Sequence, residues 1–176
     1  MKKSTSAFTL IELMTVVAII AILAVSTFVA YTGAQARARD AVRQEDISNL
    51  VKALEQYYSD NGAYPIPSGT SSVINSNWYT SGDSSWTTFS SALTGIIDTV
   101  PVDPLKTVNG DPLNVGSYGY AYFSGYYCGS TPGQWYLLVY RFENSSQTKF
   151  SDGACTTNPL GDNYYANGAS YYRSVK

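Results

Sequence analysis

Histidine is absent from this 176-residue chain. That removes the imidazole base of Ser-His-Asp and Cys-His catalysis, and a common metal ligand with it. Cysteine is scarce. The two present, Cys128 and Cys155, are too few for a zinc site without histidine. No Walker-type phosphate loop and no EF-hand spacing occurs. Charged residues are only 14% of the chain, against about a quarter in ordinary soluble domains. The formal net charge is −2, and the basic residues are few and scattered, so DNA binding is not supported by charge. No proline precedes Pro65, and nothing of that kind breaks a helix over the whole N-terminal third.

What is there is unevenly placed. Most aliphatic residues crowd ahead of Asn61, and the remainder is rich in Tyr, Ser, Thr, Gly and Asn, with 16 tyrosines in all. So many tyrosines suit either a sugar-binding or base-stacking surface or sheet packing and interface area; the second is favoured. The opening residues are polar and basic, with Lys2 and Lys3. From Phe8 the chain turns apolar, and after Glu12 no charge appears until Arg37. A gap of about 24 residues is enough for a helix to cross the roughly 30 Å hydrocarbon core of a bilayer. Ala18, Ala21 and Ala24 permit close helix–helix approach.

An ordinary secretory signal is one reading, since Ala34-Gln35-Ala36 offers an A-x-A cleavage pattern. The apolar stretch is too long for it and holds a glutamate near its start. A plain single-span anchor is another, and it leaves Glu12 unexplained, because a carboxylate at the bilayer edge costs a few kcal/mol. Charge counting opposes an outward-facing C-terminal part: Arg37, Arg39 and Arg43 outnumber Lys2 and Lys3, and the interleaved Asp40, Glu45 and Asp46 barely enter that rule.

The run Ala7-Phe8-Thr9-Leu10-Ile11-Glu12-Leu13 resembles the class III signal of type IV pilins and type II secretion pseudopilins. The resemblance implies removal of a leader, residues 1–7, by a prepilin peptidase cutting between Ala7 and Phe8, and N-methylation of the new terminus. The family more often has Gly where this chain has Ala7. It also implies that Glu12 pairs with the amine of Phe8 on a neighbouring subunit during assembly, which fits the rule that a buried carboxylate persists when a cation neutralises it.

Beyond the apolar run, Ile47, Leu50, Val51, Leu54, Tyr57 and Tyr58 recur at i, i+3, i+4 and i+7, an amphipathic helix with one packed face. Asp60-Asn61-Gly62 is a helix stop and Tyr64-Pro65 an extended exit. The stem helix is therefore expected over 8–62, about 80 Å long, with 8–32 as its transmembrane half and Gly33 its weakest point. Tyr58-Ser59-Asp60-Asn61-Gly62-Ala63-Tyr64-Pro65 and Val100-Pro101-Val102-Asp103-Pro104, followed by Tyr118-Gly119-Tyr120-Ala121-Tyr122, also resemble pseudopilins and short pilins.

The head, 63–176, reads as strand and loop. Residues 67–87 look like a polar surface loop, and Phe89, Leu93, Ile96 and Ile97 like a short helical turn. Tyr118, Tyr120 and Tyr122 alternate with small residues as in a strand. Gln134–Phe142 is the best strand, with Trp135, Leu137, Val139 and Arg141 on one side and Tyr136, Leu138, Tyr140 and Phe142 on the other. Apolar on both faces, it suits a central position with the stem helix on one side. Asp98, Asp103, Asp111, Asp152 and Asp162 are either calcium ligands or, more in keeping with their spacing, solvated turn residues; no cofactor is expected. Cys128 and Cys155 read as one disulfide in an exported chain or as two buried thiols; a bridge over about 27 residues would add roughly 3–4 kcal/mol.

The expected fold is α+β, a long N-terminal helix packed on a small antiparallel sheet. The resemblance implies a non-enzymatic structural subunit. It would begin as a single-pass precursor in the cytoplasmic membrane and end in an extracellular homopolymer or mixed pilin filament. Its partners would be the prepilin peptidase, the assembly ATPase and the platform protein. A pseudopilin acting as a periplasmic piston and a membrane-anchored surface binding protein that never polymerises are the alternatives.

Overall fold

The computed structural model describes residues 8–68, 71–72, 74, 77–105, 114, 116–125, 131–144 and 170–175, without the side chains of 26–30 and 170–175. Ala7, Cys128, Cys155, Asp111, Asp152 and Asp162 therefore lie outside the described residues. The fold is α+β and pilin-like, a long N-terminal helix and a small antiparallel sheet. The chain divides into two compact units, 1–38 and 39–176.

Helix α1 (Leu10–Asn61) runs through 52 residues. In the first unit its residues from Leu10 to Val25 are exposed on every side. Isoleucines, leucines and valines there keep about half to three quarters of their surface bare, such as Val16 at 49% and Leu10 at 76%. A helix that is apolar all round needs lipid or other helices around it. Among the described residues no helix is long and apolar enough to cross a membrane. The described apolar part, Leu10–Val25, reaches only about 24 Å; the side chains that continue it at 26–30 fall outside the description.

In the second unit α1 has one buried stripe: Asp40, Arg43, Ile47, Leu50 and Leu54. The spacing of three and four residues keeps them on one face. The helix ends at Gly62, whose φ of 72° suits a residue without Cβ. Its N–H bonds the Tyr58 carbonyl at 2.8 Å, and the Asn61 amide bonds the Tyr57 carbonyl at 2.9 Å.

The sheet has four antiparallel strands in chain order. They are β1 (Tyr79–Thr80), β2 (Ala121–Phe123), β3 (Trp135–Tyr140) and β4 (Ser170–Val175). Tyr122 pairs with Tyr79 and with Leu138, and Val139 pairs with Tyr171. All six residues of β3 are buried. One face, Tyr136, Leu138 and Tyr140, joins Ile47, Leu50 and Leu54 of α1 in a single core. The other, Trp135, Leu137 and Val139, packs with Trp78, Ala121 and Phe123. The central placement and the two faces agree with the alternation of the sequence.

Three expectations need correction. The segment 67–87 is not simply a polar surface loop. Trp78, Tyr79 and Thr80 are buried, and β1 forms there because the Tyr79 ring lies 5.7 Å from Phe89 and 6.1 Å from Tyr122. Helix α2 (Ser85–Ala92) starts earlier than Phe89; the Asp83 carboxylate, just ahead of it, accepts the Ser85 N–H at 2.8 Å, one of the first-turn donors that has no partner within the helix. Strand β2 begins at Ala121, not Tyr118; Tyr118 instead carries its ring 4.8 Å from the Arg43 guanidinium.

Candidate functional site

At the head of α1, Thr9 and Glu12 close on each other. Glu12 Oε2 accepts the Thr9 N–H at 2.8 Å and the Thr9 hydroxyl at 2.6 Å. Thr9 Oγ1 accepts the Glu12 N–H at 3.3 Å. This is a capping box, T-x-x-E, in which two otherwise orphaned backbone donors at a helix start are satisfied by side chains. The Thr15 hydroxyl bonds the Glu12 carbonyl at 2.9 Å. All these residues are exposed. Both bonds to the Glu12 carboxylate fall on Oε2, and Oε1 has no hydrogen-bond partner among the described residues. Phe8 is 83% exposed. The structure thus brings Glu12 to Thr9, not to Phe8 of its own chain. Thr9 is the site residue that reading the sequence missed, although the T-x-x-E spacing was there to find it.

This segment matches a prokaryotic N-terminal methylation motif over residues 2–28. The chain carries a class III signal. Such signals are typical of type IV pilins and pseudopilins, which are as a rule structural, and the chain is a prepilin-like protein. The class III signal implies membrane targeting, processing by a prepilin peptidase and handling by an assembly machinery. No curated protein matches the chain, and no solved structure does.

A second polar constellation sits at the top of the buried stripe in the second unit. Arg43 Nε and Nη2 donate to the two oxygens of Asp103 at 2.7 and 3.0 Å. Arg43 Nη1 donates to Asp40 Oδ1 and to Glu143 Oε1, each at 2.7 Å. Arg39 forks onto Glu143 at 2.7 and 2.6 Å. Asp40 in turn accepts the backbone N–H groups of Glu143 and Asn144, both at 2.9 Å. Three stretches of chain meet here: the middle of α1, the Val100–Pro104 motif and the exit of β3. Arg43 and Asp40 are fully buried and Asp103 is 1% exposed. Charges so placed persist only because each is paired and hydrogen-bonded.

The electrostatics follow from those contacts. Burial opposes the Arg43 charge, yet its bonds to Asp103, Glu143 and Asp40 win and hold its pKa above the ordinary value. The Arg39 bond, helped by Arg43, keeps the Glu143 carboxyl below the usual glutamate range against some burial. Next door, burial raises the Asp46 carboxyl although the Tyr120 hydroxyl donates to it at 2.7 Å.

The sequence reading of the aspartates changes accordingly. Asp103 is neither a solvated turn residue nor open to calcium, because both its oxygens are taken by Arg43. Asp98 is exposed. Among the described residues no group of His, Cys, Asp and Glu could hold a metal ion. Arg141 is buried.

Proposed function

We propose that the chain is a structural subunit of a type IV pilus-like extracellular filament, and that its role is not enzymatic. A leader, 1–7, leaves by cleavage between Ala7 and Phe8. Residues 8–32 then serve first as a membrane span and afterwards as filament core, packed against the same segment of other subunits. Release from lipid loses no hydrophobic shielding, because neighbouring helices supply it again. The observation that carries this reading is Glu12: one carboxylate oxygen is held by Thr9 and the other has no hydrogen-bond partner among the described residues, on a helix whose described apolar side chains from Leu10 to Val25 are exposed. An unneutralised carboxylate in such surroundings is costly. The amine of Phe8 on a neighbour is a cation created only by processing, so pairing waits for cleavage. The interaction is head-to-tail, which propagates as an open helix.

Measuring the N-terminal residue and intact mass of subunits sheared from the cell surface tests this. A chain beginning at Phe8 and heavier by one methyl group is expected. A chain beginning at Arg37 means an ordinary signal peptide and ends the filament reading. The pseudopilin alternative draws on the Val100–Pro104 motif, whose Asp103 binds Arg43; material confined to the envelope and never recovered by shearing would favour it.

A further inference from the structure

Helix α1 begins at Leu10, just past the Ala7–Phe8 bond that leader removal would break. Thr9 holds the start of α1 there. Its carbonyl accepts the first bond of the helix, from the Leu13 N–H at 3.3 Å. Its hydroxyl oxygen accepts the Glu12 N–H, also at 3.3 Å. Those two bonds make Thr9 the N-cap, the last residue before the helix proper. Phe8, ahead of the cap, is outside the helix and largely exposed. All of this lies within the first unit.

The alternative to a cap is more helix. The first N–H groups of a helix have no partner within it, and an uncapped chain can supply them by winding back one turn. Each N–H then takes the carbonyl four residues earlier. For Glu12 that carbonyl belongs to Phe8, and for Ile11 it belongs to Ala7. The Ala7 carbonyl is the one that hydrolysis attacks. Proteolysis acts on open chain, so a bond tied into a helical ladder must first be unwound.

We infer that Thr9 is a positioning residue for leader removal: by capping α1 it stops the helix short of the bond to be cut. This rests on the filament reading, in which the leader leaves between Ala7 and Phe8. The matched methylation motif, residues 2–28, spans both sides of that bond. Water adds across it, leaving a carboxylate on Ala7 and an ammonium on Phe8. Thr9 takes no part in that exchange and sets only how much of the precursor offers the bond unwound. An uncapped precursor therefore binds the peptidase more weakly, in proportion to its open fraction, and turns over at the same rate once bound. The capping bond from the Glu12 N–H is a main-chain donation, so it survives loss of the Glu12 side chain.

Leader removal from the full-length precursor in detergent by a prepilin peptidase, followed by intact mass, tests it. Thr9→Val keeps the shape of the side chain and loses the acceptor. It is expected to raise KM about fivefold with kcat unchanged. Thr9→Ser and Thr9→Asn, both good caps, should be cut as fast as the unaltered chain. A Thr9→Val precursor cut as fast as the unaltered one overturns the inference. So does rescue by Ser but not by Asn, which would mean that the peptidase reads the hydroxyl itself. A fall in kcat at unchanged KM overturns it too, by placing Thr9 in the chemistry. An unaltered precursor that is not cut between Ala7 and Phe8 overturns the reading beneath it, and this role with it.

Discussion

Arg43 donates four hydrogen bonds to three carboxylates. Its removal leaves Asp40 and Asp103 buried without a cation. Arg43→Met is expected to lower the stability of the full-length protein in detergent by about 3–5 kcal/mol, seen as an earlier denaturant midpoint in the near-ultraviolet signal of the tyrosines. A midpoint unchanged from the unaltered chain would show that the network is decoration. Acid acts on the same residues. The Glu143 carboxyl titrates below the usual glutamate range in the folded state, so its contribution is present above that range and is lost as the pH falls through the lowered value. Asp46, raised by burial, works the other way, since protonation relieves its burial cost. Thermal midpoints measured from about pH 7 down to about pH 3 should fall at the acid end, and Glu143→Gln should flatten that limb.

The two described glycines of the helical region predict opposite outcomes. Gly62 has a φ of 72° with open space about its Cβ position, so Gly62→Ala costs only backbone strain, about 1 kcal/mol. Gly33 is helical and equally open, so Gly33→Ala should gain about as much in helix stability, measurable as greater helicity on heating. The elements that could be read in advance were those with a strong period. The α1 stripe from Ile47 to Leu54 and the two-faced β3 announce themselves by spacing alone. What spacing could not give was the buried polar extension of the stripe. Asp40, Arg39 and Arg43 look like a solvated charge run, and only the return of Asp103 and Glu143 from far along the chain turns them inward. An orientation count over the sequence treats those same arginines as free flanking charges. Strand β1 was missed for a similar reason: two residues have no period, and Tyr79 is placed by rings from α2 and β2.

For the molecule as a whole, the division of labour is between a first unit whose described residues bury no apolar side chain and a second unit that holds its own core. Changes at Glu12 should therefore spare the head and its processing while removing assembly. Glu12→Ala is expected to give mature subunits beginning at Phe8, with membrane levels near those of the unaltered chain and no sheared filaments. Abundant filaments from that variant would sink the pairing of Glu12 with a neighbour's amine.

Strand β4 has a consequence for biogenesis. It pairs with every residue of β3, yet it is made last, about 35 residues after β3 ends. At translation speeds of roughly 5–20 residues per second, β3 would wait about two to seven seconds with one edge bare. During that interval the most aromatic strand of the head is a template for any passing extended chain. The nascent chain is thus most vulnerable to misassociation between the making of β3 and the making of β4, after its N-terminal signal has already emerged, and holding one chain apart from the next would matter most then.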